Sequence, residues 1–219
     1  MIQFLATPTM PPLAPGEVQL WRAHLGEPSA SEVASLSPDE WARAKRFHFP
    51  DDTRRFIAGR AALRAILGAQ LGLDPREVRF RTGAHGKPEL DADTLLRFNL
   101  SHSGDLMLVA LTHGREIGVD LEAMRENVGF EMLSAHYFDP EDAWHIRTLP
   151  AAEKAGKFYE IWTRTEAQLK AAGTGLSDGL KVVAPDRWSL LSLTPATGYA
   201  AALAVEGDDF TLNCWAWAN

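Results

Sequence analysis

The sequence predicts an α+β protein, with helices and strands mixed along one chain of 219 residues. Three observations carry that reading. Residues 97–122 hold three short apolar runs, broken by Ser103-Gly104-Asp105 and His113-Gly114-Arg115 turns, and read as consecutive strands. Two long amphipathic stretches, 53–71 and 152–172, stop at Gly72 and Gly173 and read as helices. Three more apolar runs follow, near 188–193, 199–205 and 210–217. The length allows one large domain or two small ones, and 46% hydrophobic residues suffice for a core.

Taken in order, Val18 to Ala23 reads as a first strand. Ser37-Pro38-Asp39-Glu40 starts a helix, with Ser at the cap, Pro at the first position and an acid three residues on. That helix is expected to run through Arg43, Lys45, Arg46 and Phe47. The next, from Thr53 to Leu71, spaces Phe56, Leu63, Leu67 and Leu71 for a core face. Together the two carry Arg43, Lys45, Arg46, Arg54, Arg55, Arg60 and Arg64. Such a cluster suits an anionic ligand; the plainer alternative is a solvated face paired with Asp39, Glu40, Asp51 and Asp52. Val78 to Arg81 reads as a short strand. After it, Gly86-Lys87-Pro88 fixes a turn that presents one ammonium.

The third central strand carries Asp120 and Glu122. Two residues apart on a strand, they share one face while Val119 and Leu121 point into the core. Two carboxylates aimed together repel unless a cation or proton lies between them, and hard oxygens suit Mg²⁺ or Mn²⁺. An isolated pair of this kind could equally be the solvated face of a half-buried strand. Residues 123–150 read as irregular helical segments, with an acidic start at Phe138-Asp139-Pro140-Glu141-Asp142. On the 152–172 helix, Phe158, Ile161, Thr165 and Leu169 mark an expected core side. Trp162, Glu166 and Lys170 form an adjacent stripe at i, i+4, i+8. Glu166 could be a surface ion pair or a third carboxylate for Asp120 and Glu122.

Composition narrows the class. A formal charge of -7 argues against general nucleic-acid binding. A single cysteine, Cys214, permits no intramolecular disulfide and fits a reducing cytoplasm. Residues 1–16 lack the charged start and long apolar run of a signal peptide, and no stretch is long enough to span a bilayer. A cytoplasmic monomer, with no membrane partner, is expected.

Several segments, in order, resemble the 4'-phosphopantetheinyl transferases of the surfactin-synthetase-activating (Sfp) type. They are Gly86-Lys87-Pro88, Phe98-Asn99-Leu100-Ser101-His102-Ser103, Ile117-Gly118-Val119-Asp120-Leu121-Glu122, and Trp162-Thr163-Arg164-Thr165-Glu166-Ala167-Gln168-Leu169-Lys170 followed by Gly173-Thr174-Gly175-Leu176. The likeness spans about Ser37 to Leu176 and includes Arg46-Phe47 and Arg55 to Gly59. It implies two similar α/β halves related by a pseudo-twofold, 1–112 and 113–219, with the active site in the cleft between them. The first half would take the 3'-phosphate and nucleotide of coenzyme A. The second would supply the metal ligands and the carrier-protein side.

The resemblance implies an enzyme that moves the 4'-phosphopantetheine arm of coenzyme A to a serine of an apo acyl or peptidyl carrier protein, releasing 3',5'-ADP. The carriers would belong to fatty-acid, polyketide or nonribosomal-peptide systems. It implies Mg²⁺ (Mn²⁺ also fitting) on Asp120, Glu122 and Glu166. Glu166, Lys170 and His102 are the implied catalytic residues. Arg43, Arg46, Arg55, Lys87, Ser101, His102 and Lys170 are implied contacts to coenzyme A. Residues 123–135, with Met124, Val128, Phe130, Met132 and Leu133, are an expected carrier surface. Two departures stand out: Thr165 where the family usually has Lys, and Glu40 where some members are basic. Lys154, Lys157 or an N-terminal Arg would be the substitute cation. The alternatives are a degenerate relative that binds without transfer, and a metal-dependent hydrolase of nucleotides or pyrophosphates.

Overall fold

The computed structural model describes residues 1–7, 9–83, 87–126, 128–174 and 185–218. Gly86, Gly175 and Leu176 of the sequence motifs lie outside them. In chain order the elements are β1 (Leu5–Ala6), β2 (Glu17–His24), α1 (Ala30–Ala34), α2 (Pro38–Ala44), α3 (Pro50–Leu71), β3 (Phe80–Thr82), β4 (Pro88–Leu90), β5 (Leu96–Ser103) and β6 (Leu106–His113). They continue with β7 (Ile117–Ala123), α4 (Phe130–Tyr137), α5 (Pro140–Thr148), α6 (Ala151–Ala172), β8 (Trp188–Leu193), β9 (Tyr199–Glu206) and β10 (Thr211–Trp217).

Local chemistry sets the helix limits. Ser37 caps α2 in a reciprocal box with Glu40, and Pro38 opens the helix. α2 stops at Ala44, with Lys45 as its cap, so Lys45, Arg46 and Phe47 follow the helix instead of continuing it. Ser29 and Glu32 form a second such box at α1, which the reading of the sequence passed over. α3 begins three residues earlier than expected because Pro50 can occupy a first helical turn; Asp51 and Asp52 there suit the helix N-terminus. Gly72 and Gly173 end α3 and α6 in the left-handed conformation, at φ 67° and 71°.

The strands form two main sheets and a small hairpin. The larger has the order β1-β10-β2-β6-β5, the smaller β7-β9-β8, and β3 pairs with β4. Residues on both faces of β2 and β6 are buried, β6 as a continuous apolar run, so the larger sheet has two buried faces. Trp21, Ala23, Met107, Val109 and Leu111 meet Leu63, Ile66 and Leu67 of α3. Val18, Leu20, Leu108 and Ala110 meet Ile117, Val119, Leu121, Leu203 and Val205 of the smaller sheet. The other face of that sheet packs Ala202 and Ala204 on Ala167 and Ala171 of α6. The molecule is therefore layered helix, sheet, sheet, helix, in two domain-like halves. β10 comes from the second half of the chain but lies in the first half's sheet, parallel to both β1 and β2.

Gly118 governs how closely α6 approaches. A Cβ at Gly118 would sit 2.0 Å from the carbonyl oxygen of Ala167 and 2.4 Å from the amide of Ala171. Only glycine lets helix backbone rest directly on strand backbone there. On α6 the core side differs from expectation. Thr163, Ala167 and Ala171 are buried, whereas Ile161 and Thr165 are half-buried and the Thr165 hydroxyl bonds back to Ile161 O at 2.9 Å. No helix among the described residues is long and apolar enough to cross a membrane.

Candidate active site

The face of β7 opposite Val119 and Leu121 reads Gly118, Asp120, Glu122, and α6 covers it. With Gly118 seated at Ala167 and Ala171, the next positions along both elements coincide, and Lys170 Nζ reaches Asp120 Oδ1 at 2.6 Å. Glu166 and Trp162 follow one and two turns away on the same helix face. Asp120 is only 3% exposed, so the face is covered by protein and is not the solvated side of a strand.

A cleft of about 840 Å³ opens where this face meets α2, α3 and the end of β5. Asp120, Glu122, Glu166, Lys170 and Trp162 form one wall. Arg43, Arg46, Arg55 and Arg60 form the other, with Ser101 and His102 between them. Of the residues implied for catalysis, metal or coenzyme A, all line this one cleft except Lys87. Lys87 Nζ donates to Lys170 O at 2.9 Å and lies 3.8 Å from Glu116 Oε2. It thus caps one carbonyl in the last turn of α6, where the helix dipole favours a cation. These contacts make Lys87 a structural tie between the β3–β4 hairpin and α6.

The acidic wall holds more negative charge than its partners neutralise. Ser101 Oγ donates to Asp120 Oδ1 at 3.0 Å, and Ser103 Oγ donates to Glu122 Oε2 at 3.0 Å. Asp120 Oδ2 and Glu166 Oε1 are buried and, among the described residues, have no hydrogen-bond partner. Burial and the Asp120 charge together push the carboxyls of Glu122 and Glu166 above the ordinary glutamate value. Orphaned, mutually repelling carboxylate oxygens are the chemistry a hard divalent cation satisfies, so the donor set fits one. Among the described residues no three such side chains yet converge on a single ligation point, and Lys170 occupies Asp120 Oδ1.

The basic wall is organised differently. Arg55 Nε donates to Asp105 Oδ1 at 2.9 Å, which ties the turn after His102 to α3. Arg60 and Arg64 both donate to Glu40, and Arg60 lies over the Phe80 ring at 4.3 Å. Burial alone would raise the Glu40 carboxyl, but the Arg60 charge and bonds from Arg64, the Ser37 amide and Arg60 bring it below its usual value. Glu40 is thus a buried clamp on two α3 arginines. Ion pairs of this wall involve Arg54, Arg55, Arg60 and Arg64, and among the described residues they leave out Arg43 and Arg46. The His102 ring is exposed at the cleft, yet protein crowding and the cations Lys170, Arg43 and Arg55 hold it below the ordinary imidazole value. It is therefore neutral near pH 7 and can donate one N–H.

Two further expectations are corrected. Lys154 pairs with Glu131 and bonds Arg147 O, and Lys157 pairs with Glu160, so neither replaces a cation in the cleft. Phe130 is 8% exposed within a cluster with Ile146, Phe158 and Tyr159, so it belongs to the core; Met124 and Met132, at 37% and 72%, are exposed. The reading of the sequence names Arg60 only as one of the basic cluster, takes Glu40 as a possible partner on a solvated face and a departure from the family, and gives Ser103 no role. Ser103 had a signal: Asn99, Ser101 and Ser103 alternate on one face of a strand.

A cleft with an acidic wall facing a basic wall has the chemistry that suits a phosphorylated ligand with an accompanying cation. Comparison with known proteins shows the family of the chain. Residues 19–113 match the model of the 4'-phosphopantetheinyl transferase N-terminal region, and residues 116–212 that of the 4'-phosphopantetheinyl transferase superfamily. The chain is 41% identical to the 4'-phosphopantetheinyl transferase HetI of Nostoc sp. over 217 residues, covering 91% of this chain and 92% of HetI. It is 40% identical over 156 residues to a putative 4'-phosphopantetheinyl transferase of Synechocystis sp., covering 70% of this chain and 63% of that one. It is 28% identical over 145 residues to the 4'-phosphopantetheinyl transferase Sfp of Bacillus subtilis, covering 66% and 63%. The chain belongs to the 4'-phosphopantetheinyl transferase family and is an enzyme of that class.

Proposed function

We propose that this chain transfers the 4'-phosphopantetheine arm of coenzyme A to a carrier-protein serine through the cleft between its two walls. The carrying observation is the pair of orphaned carboxylate oxygens on Asp120 and Glu166 facing Arg43 and Arg46 across one cavity. A Mg²⁺ held by Asp120, Glu122 and Glu166 would supply positive charge to the diphosphate. Lys170 adds a second positive charge beside Asp120, and His102 is placed to donate its N–H to a phosphate oxygen. Arg43 and Arg46 are assigned to the 3'-phosphate, and Arg55 to the nucleotide. Ser101, bridging Lys170 and Asp120, holds that pair at the cleft floor.

The serine oxygen attacks the β-phosphorus; a phosphorus–oxygen bond to the pantetheine-bearing phosphate forms and the diphosphate bond breaks. 3',5'-ADP leaves, and the serine proton passes to Glu166 or to a water that Glu166 orients. Positioning of serine and diphosphate supplies much of the rate.

In this reading residues 1–112 supply the coenzyme A side. Residues 113–219 supply the metal ligands and the carrier side, with exposed Met124 and Met132 toward the carrier. The Sfp type, a cytoplasmic monomer and a carrier of fatty-acid, polyketide or nonribosomal-peptide synthesis belong to the same proposal. Support comes from the family and, for a reducing compartment, from the free cysteine Cys214.

The test is incubation of the chain with coenzyme A, Mg²⁺ and an apo-carrier protein, read by mass spectrometry. The expected result is a carrier heavier by one phosphopantetheine arm. Loss of coenzyme A diphosphate without carrier modification would identify a hydrolase, and neither change would identify a binder.

A further inference from the structure

β5 and β7 lie side by side at the cleft but belong to different sheets, β5 pairing with β6 and β7 with β9. Among the described residues no backbone pairing joins them. What joins them is a row of side chains on one face of β5. Asn99 Oδ1 accepts the Val119 N–H at 2.8 Å, and Ser101 Oγ donates to Asp120 Oδ1 at 3.0 Å. Ser103 Oγ donates to Glu122 Oε2 at 3.0 Å and accepts the Ala123 N–H at 3.0 Å. The sequence separations stay at 19 or 20 from rung to rung, so the two strands run parallel with side chains standing in for a ladder.

The rungs differ in what they hold. Asn99 fixes only backbone. Ser101 holds Asp120, which Lys170 also grips. Ser103 alone bonds Glu122 among the described residues, and the same hydroxyl anchors the backbone just beyond it. We propose that Ser103 is a positioning residue: its hydroxyl sets the Glu122 carboxylate for the divalent cation and locks the end of β7 against β5. The inference rests on the metal reading given under Proposed function. Removing a partner that orients a metal-binding carboxylate typically weakens metal binding by about 10–100-fold.

Ser103 borders a cavity of about 310 Å³, which leaves room for an added methyl. Ser103→Thr and Ser103→Val therefore form a matched pair, alike in shape and differing in the hydroxyl. The full chain and each variant are titrated with Mn²⁺, the free ion being counted by its paramagnetic resonance signal. Transfer rate is then measured against Mg²⁺ concentration. Ser103→Val is expected to weaken Mn²⁺ by about tenfold and to raise the half-maximal Mg²⁺ concentration equally, with kcat recovered at saturating metal. Ser103→Thr is expected to match the parent in both. Parental Mn²⁺ affinity in Ser103→Val, or equal weakening in both variants, overturns the role of the hydroxyl. Glu122→Ala is the control for the reading beneath it. Parental Mn²⁺ affinity in that variant overturns the metal assignment itself, while weakened binding there with an unaffected Ser103→Val overturns only the present proposal.

Discussion

The two walls of the cleft bury charge in opposite ways. On the α3 side, Glu40 is enclosed by Arg60 and Arg64, and its carboxyl is held below the usual value. On the α6 side, Glu122 and Glu166 are enclosed by protein and by Asp120, and theirs are held above it. The same residue type at similar depth thus reads as satisfied on one wall and unsatisfied on the other. A satisfied buried charge belongs to the scaffold; an unsatisfied one marks where a ligand's charge is missing. In the proposed reading the α3 wall uses Arg60 and Arg64 as structure and offers Arg43 and Arg46 to an anion, while the α6 wall, where Lys170 meets only Asp120 Oδ1, offers its remaining carboxylate oxygens to a cation.

The strongest way to break this contrast is to remove the acidic wall. Asp120→Ala, Glu122→Ala and Glu166→Ala are each expected to lower transfer by about 10²–10³-fold, the scale for losing one preorganised charge-stabilising group. Circular dichroism should show the fold retained. Full transfer by Asp120→Ala in the presence of a chelator would show that the wall has no metal role. Next in size is the basic wall. Arg43→Ala and Arg46→Ala each remove a charge-assisted bond of about 1.5–3 kcal/mol, so affinity for coenzyme A should drop roughly 10–100-fold. Affinity for 3'-dephospho-coenzyme A should change far less; equal losses for both ligands would make these arginines an ordinary solvated face.

The register of the acidic wall is the third lever. Gly118→Ala drives a methyl into the backbone of α6, with an expected destabilisation of about 1–3 kcal/mol, read by denaturant unfolding, and a matching fall in activity. Unchanged stability would mean that α6 sits less tightly on β7. A smaller effect concerns pH. A carboxyl whose folded pKa is raised binds more protons folded than unfolded, so its contribution to stability is present below about pH 4.5 and lost as pH rises through the folded value. For metal-free protein, Glu122 and Glu166 should therefore erode stability as pH climbs from about 4.5, and Mg²⁺ should restore it. Glu40, depressed, works in the opposite sense, losing its contribution as pH falls below its unfolded value. Thermal melts across pH, with and without Mg²⁺ and in Glu166→Gln, resolve the two walls. Least of all should change in Thr165→Lys. Position 165 lies beside the cleft stripe, and Lys170 with Arg43, Arg46, Arg55 and Arg60 already line the cavity. A large gain in rate would show a gap that those side chains do not fill.

Much of this was legible in the sequence. Period-two alternation placed Asp120 and Glu122 on one face, and the i, i+4, i+8 stripe placed Trp162, Glu166 and Lys170 together, because each pattern depends only on local backbone geometry. Capping chemistry located the start of α2 for the same reason. What stayed hidden depends on contacts distant in sequence. Lys87 presents a stiff ammonium from a turn, but its partner is a carbonyl 83 residues away. Phe130 sits in an apolar segment that resembles a docking surface until α5 and α6 close over it. Glu40 looked like a departure from a basic position because Arg60 and Arg64 approach it only once α2 folds onto α3.

The placing of β10 bears on how the protein is made. The sheet that supports the arginine wall has a gap between β1 and β2 until residues 211–217 arrive, and they come only after β8 and β9. A chain emerging from the ribosome therefore carries β2 with an open flank through the synthesis of both long helices and the entire second sheet. Parallel pairing over such a separation forms slowly, and an unpaired strand invites pairing with a neighbouring nascent chain. Cutting the molecule between its halves would make the same state permanent: residues 1–112 expressed alone would lack the strand that fills their sheet, and they should aggregate unless a peptide carrying residues 211–217 is supplied.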